Sequence, residues 1–117
     1  MATLKVLRQE QTGVVYADPS DPNLTVRFRN TTSNKTLNGV QTKNYLTEII
    51  VNDDNSVTVG GVAAQDALSV RVRVSGTNES QTRIGAILTA LGNQLATWHG
   101  EKVFVGFNPT TAPVIGS

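Results

Sequence analysis

The 117 residues contain no cysteine, which excludes disulfides, thiolate zinc sites, cysteine nucleophiles and iron–sulfur clusters. A single histidine, His99, excludes any site that needs two. Aromatic residues make up only 5% of the chain. Ten Lys and Arg against nine Asp and Glu leave a net charge of +1. A nucleic-acid role must then come from local clustering of cations and not from the total. Charged residues (16%) and hydrophobic residues (38%) are both scarce, and Thr, Ser, Asn and Gln fill the gap. No apolar run approaches the ~20 residues that cross a bilayer. The opening MATLKVLRQE has no signal-peptide core, so a protein made and used inside a cell is expected. The length suits one domain, 1–117, with a modest core.

What is present is largely strand. Residues 3–9 and Val14-Val15-Tyr16, separated by Gln11-Thr12-Gly13, read as an N-terminal hairpin within 1–17. Asp18-Pro19-Ser20-Asp21-Pro22 reads as a loop, because two prolines so close do not suit a ladder. A sheet is expected over 24–75. In 24–31, Leu24, Val26 and Phe28 alternate with Thr25, Arg27 and Arg29, the period of a half-buried strand. The polar stretch 30–39, ending in Asn38-Gly39, reads as a turn. A strand follows at 42–51, where Lys43, Tyr45, Thr47 and Ile49 oppose Asn44, Leu46, Glu48 and Ile50. Asn52-Asp53-Asp54-Asn55 reads as another turn, and 57–59 as a short strand stopped by Gly60-Gly61. Val62-Ala63-Ala64 extends that small, pliable loop. Residues 67–75 alternate best: Leu68, Val70, Val72 and Val74 against Ser69, Arg71, Arg73 and Ser75.

The period then changes. Asn78 and Gln81 have the spacing of a capping box. Ile84, Ile87, Leu88, Leu91, Leu95 and Trp98 follow at helical intervals, and Gly100 marks a stop with His99 in the last turn. The helix and tail occupy 78–117, and Pro109 bars a long helix beyond it. Strands followed by one helix argue for an α+β fold, an antiparallel sheet with helix on one face.

Four of the six arginines sit in pairs, Arg27 with Arg29 and Arg71 with Arg73, on the polar faces of two strands. Guanidinium forks suit phosphate oxygens, and Ser69 adds a hydroxyl. Lys43, Tyr45 and Thr47 extend this candidate phosphate-binding surface, although the mixed pattern of 42–51 does not fix which way they face. An ordinary solvated sheet face has the same composition, and composition alone favours that plainer reading. The helical stripe Ile84, Ile87, Leu88, Leu91 and Leu95 suits either its own sheet or a second copy of the chain. His99 reads as a helix-end cation, with no serine or carboxylate at a triad spacing. Asp53-Asp54-Asn55 lacks the Gly and distal Glu of a calcium loop and reads as a turn. The four Asn-x-Ser/Thr sites, at Asn23, Asn30, Asn34 and Asn78, match chance in so Asn/Thr-rich a chain. No phosphate-cradling glycine loop or dinucleotide motif is present. No enzymatic activity, cofactor or metal is expected.

Three stretches resemble the coat proteins of single-stranded RNA bacteriophages of the levivirus type. They are Thr58-Val59-Gly60-Gly61-Val62, Leu68–Ser75 running into Gly-Thr-Asn-Glu-Ser80, and Val105-Gly-Phe-Asn-Pro-Thr-Thr-Ala112. The likeness covers nearly the whole chain in element order, but the part before Leu24 is shorter than usual in the family. The resemblance implies an interlocked homodimer in which each helix crosses its partner's sheet. It implies that many dimers close into an icosahedral shell, Gly60-Gly61 lying in the loop that contacts neighbouring dimers. The inward sheet face would bind a single-stranded phage RNA hairpin, for packaging and translational repression, with Tyr45 as the base-stacking candidate. The implied partners are the chain itself and RNA, with no membrane and no small-molecule substrate. The implied location is the virion, assembled in the bacterial host cytoplasm. The rival expectations are a secreted or surface β-rich adhesion module and an RNA-binding domain of a cellular regulator.

Overall fold

The computed structural model describes residues 3–115. The chain forms two compact units, one ending at Ser75 and one beginning at Gly76. Five strands run in sequence order through one sheet: β1 (Lys5–Glu10), β2 (Gly13–Asp18), β3 (Asp21–Leu37), β4 (Val40–Val59) and β5 (Val62–Thr77). A 3₁₀ turn (Asn78–Ser80) leads into helix α1 (Gln81–Gly100), and a second 3₁₀ turn (Val103–Val105) follows it. The expected class, an antiparallel sheet followed by one helix, is the one observed.

The strands are longer than the sequence reading allowed. The 30–37 stretch is strand, not turn: only Asn38 and Gly39 turn, with φ of 50° and 78°. Those angles are the two left-handed positions of a type I′ hairpin, whose twist matches the strands it joins. Once that turn is set, Thr31 to Leu37 are zipped onto Val40 to Leu46, and β-branched threonines suit the ladder. The 52–55 turn is also absent. Asn52 and Asp53 pair with Thr25 and Leu24 inside β4. The reversal waits for Gly60 and Gly61, at φ of 59° and 80°. Val62-Ala63-Ala64 accordingly belongs to β5. Pro22 lies in β3 and not in a loop, next to a register irregularity between Ala17 and Asp18 where the ladder has already slipped. The Pro19–Ser20 turn is closed by Asp18, whose Oδ1 accepts from the Ser20 amide (2.9 Å) and hydroxyl (2.8 Å). These bonds hold the Asp18 carboxyl below its ordinary value. Gly13 begins β2 where a Cβ would lie 1.7 Å from the Phe28 carbonyl oxygen, a closeness that only glycine permits.

Among the described residues only Val15 and Ile50 are buried hydrophobics, at 2% and 4% exposure. They flank Arg27 in one cross-strand row. On the opposite face Val14, Phe28 and Ile49 form one row and Tyr16, Val26 and Val51 the next. Tyr16 and Phe28 meet edge to face at 5.8 Å.

Asn78 does not cap the helix. Ser80 holds the capping position without a side-chain bond, and Gln81 Nε2 donates to the Thr77 carbonyl (3.1 Å). Thr77 itself is buried and its hydroxyl donates to Ser80 Oγ. The helix stops at Gly100 as expected, and Lys102 takes a left-handed φ of 63°. The tail then returns along one helical stripe. Gln94 donates to the Val114 carbonyl (2.8 Å) and accepts from its amide (2.7 Å). Trp98 Nε1 donates to the Thr111 carbonyl (2.9 Å). Glu101 accepts from the Thr110 amide, the Thr111 amide and the Thr111 hydroxyl. No helix among the described residues is long and apolar enough to cross a membrane.

The Glu101 clasp is pH-sensitive. The Thr111 hydroxyl and amide, aided by Thr110, lower its carboxyl from 4.5 to about 2. A depressed folded value means that the clasp is complete above pH 4.5 and is lost as pH falls toward about 2. Trp98, the sole tryptophan, sits in the clasp and reports on it. Its emission should shift across that window in the wild type. Glu101→Ala should show the acid-type emission already at pH 7; a wild-type-like spectrum from the variant contradicts the clasp.

Candidate nucleic-acid interface

Alternation in β3 sets Arg27 and Arg29 on one side, where the ladder pairs them with Ile50 and Glu48 of β4. Two side-chain contacts extend that side into β5. Asn44 Nδ2 donates to Ser75 Oγ (3.1 Å), and Glu48 Oε2 lies 3.8 Å from Arg71 Nη1. The odd residues of β5, Ser69, Arg71, Arg73 and Ser75, therefore share the face of Arg27 and Arg29. The structure brings the four expected arginines together.

It also brings carboxylates among them. Glu10 of β1 lies 3.2 Å from Arg27 and 3.7 Å from Arg8. Arg27 is half-buried between Val15 and Ile50, so its guanidinium holds the hairpin to β3 as well as presenting charge. Glu48, whose side chain is 20% exposed, stands between Arg29 and Arg71. Neither Arg29 nor Arg73 forms an ion pair among the described residues, and both are exposed. Both are open to an incoming anion, as is the exposed Lys35 on the same side of β3. Sequence reasoning missed Glu10 and Glu48. Glu48 was visible on the even face of 42–51, but nothing in that strand alone ties its even face to the arginines.

Lys43, Tyr45 and Thr47 do not join this group. The same register sets them opposite Asn34, Thr32 and Asn30, on the other face of the sheet. Lys43 Nζ donates to Asn34 Oδ1 and Thr47 Oγ1 to Asn30 Oδ1, both at 2.7 Å. Tyr45, between them, is 41% exposed. The cause is strand parity: the even members of β4 take the arginine side, so the odd members cannot. Ser69 shares the arginine side but borders a groove of about 310 Å³ that includes Asp53 and Asp54, an unfavourable neighbourhood for phosphate.

Along α1, Ile84, Ile87 and Leu91 are half-buried, whereas Leu88 and Leu95 stay 41% and 42% exposed. On β5, Leu68, Val70 and Val72 are 48%, 52% and 39% exposed. Gly60 and Gly61 form an exposed hairpin tip. His99 stacks on Phe104, with ring centroids 6.3 Å apart. Among the described residues no cluster of His, Asp or Glu could hold a metal ion.

No family model and no curated protein sequence matches the chain. Solved structures do. The virus-like particle of bacteriophage PQ-465 superposes with a TM-score of 0.86 at 22% identity, covering 99% of this chain and 97% of that one. The virus-like particle of bacteriophage ESE001 gives 0.64 at 14% identity, covering 97% and 100%. The virus-like particle of Beihai levi-like virus 32 gives 0.60 at 11% identity, covering 94% and 90%. Over nearly its whole length, then, the chain has the levivirus coat-protein fold that its sequence resemblance implied.

Proposed function

We propose that this chain is the coat protein of a single-stranded RNA bacteriophage, a structural protein without enzymatic activity that assembles into an icosahedral shell. The observation that carries the reading is the match, end to end, to a phage virus-like particle. Two features of the chain itself support it. Leu68, Val70 and Val72 on the sheet and Leu88 and Leu95 on the helix are open apolar groups. Fully covering one such side chain contributes about 1.5–3 kcal/mol, which favours a homodimer in which each helix crosses the partner's sheet. The other support is the arginine face, with Arg29 and Arg73 unpaired and Arg71 mostly exposed, which suits the phosphates of an RNA hairpin. In this reading the protein packages its genome, represses translation from it, and resides in the virion after assembly in the host cytoplasm. Expression in bacteria should yield a megadalton particle with the ultraviolet absorbance of nucleic acid. A small, nucleic-acid-free species overturns the reading.

The dimer is tested where the leucines are exposed, so the protomer's own packing is spared. Leu88→Asp with Leu95→Asp should abolish particles and leave monomer or aggregate by light scattering. Intact particles from that double variant remove the helix from the interface.

The Gly60-Gly61 tip serves contacts between dimers in this proposal, where glycine permits more than one loop shape. Gly60→Asn reproduces the Asn-Gly turn that the chain already uses at 38–39. Dimers should form normally, while the yield or size distribution of particles by electron microscopy should change. Unaltered particles argue against an assembly role for the tip.

Arg29→Ala with Arg73→Ala should preserve folding, since neither side chain is buried or ion-paired. RNA affinity should fall, and the log–log salt slope should drop by about 0.7 per lost phosphate contact. Filter-binding titrations at several salt concentrations measure both. An unchanged slope leaves this surface an ordinary solvated face.

A further inference from the structure

We propose that Glu48 competes with RNA phosphate for the arginine face and lowers its affinity for RNA of any sequence; the inference rests on the RNA-binding reading above. Glu48 lies in one row across three strands, opposite Arg29 in the β3–β4 ladder and 3.8 Å from Arg71 Nη1. Its side chain is 20% exposed while that of Arg71 is 60% exposed. The carboxylate is therefore held in the sheet surface, with the guanidinium outermost. A phosphate seated on Arg71 or Arg29 meets that carboxylate's negative charge and must share the guanidinium with it or displace it. Glu10 does not act in the same way. It pairs with the half-buried Arg27 and with Arg8, so its role is to join the hairpin to the sheet. Glu48 touches the exposed arginine and stands in the row of the unpaired one.

The competition is electrostatic and carries no sequence information, so its effect is the same for every single-stranded RNA. It makes encounter with RNA readily reversible. A dimer then stays attached only where several phosphates are engaged together.

The test uses the full chain, dissociated from particles as dimers, and a uridine oligonucleotide about 20 residues long as probe. Binding is measured across a salt series for wild type, Glu48→Gln and the Arg29→Ala, Arg73→Ala double variant. Glu48→Gln should bind about three- to tenfold tighter, the range that removal of one partly exposed opposing charge allows. Its salt slope should steepen by about 0.7 for each arginine so released. A hairpin RNA should gain by the same factor. If Glu48→Gln binds equally or more weakly while the arginine double variant binds less than wild type, Glu48 merely positions Arg71, and only this inference fails. If wild type does not bind, or the arginine variant binds as well as wild type, the RNA-binding reading itself fails. Glu48→Thr, equally at home in a strand, is the second variant with the same expected direction. Failure of both to fold identifies Glu48 as a structural brace and overturns the proposal.

Discussion

The β3–β4 register is the constraint on which the rest depends. Fourteen consecutive pairs run from Leu24 with Asp53 to Leu37 with Val40, without a slip. The Asn38-Gly39 turn fixes them, because a two-residue I′ turn permits only one alignment of its flanking strands. A one-residue slip would turn every side chain over. Arg27, Arg29, Glu48 and Ile50 would change faces relative to each other, and the arginine surface would not exist. β2 and β5 dock onto this pair and inherit its sides.

A sheet organised in this way leaves the protomer thinly packed. Two buried hydrophobics among the described residues do not make a full core, and strands of 17, 20 and 16 residues carry more apolar surface than is covered. The arginine face meets the opposite constraint. Arg29, Arg71 and Arg73 stay exposed, while Glu10 and Glu48 set carboxylates beside Arg8, Arg27 and Arg71.

Much of this was legible in the sequence where the pattern was strong. The alternation of 24–29 and 67–75 showed which residues share a side, and the helical spacing from Ile84 to Trp98 showed α1 and its stop. The failures have a common cause. Asn, Asp, Thr and Ser occur in turns and in exposed strands alike, so 30–37 and 52–55 could not be told from loops by composition. Positive φ is the discriminating property, and among the described hairpin residues only Asn38-Gly39 and Gly60-Gly61 adopt it. The facing of 42–51 was illegible because both of its sides mix polar and apolar residues. Glu10 with Arg27 and Glu101 with Thr111 are pairs distant in sequence, and no local period announces them.

The clasp of α1 on the tail has a different consequence. Gln94 grips both peptide groups of Val114, Trp98 the carbonyl of Thr111, and Glu101 the amides of Thr110 and Thr111. These are main-chain atoms, which every residue type except proline supplies in full. Apart from the Thr111 hydroxyl, the grip is indifferent to tail side chains. The tail's outward residues can therefore diverge, and be replaced by an engineer, while its path along the helix is kept.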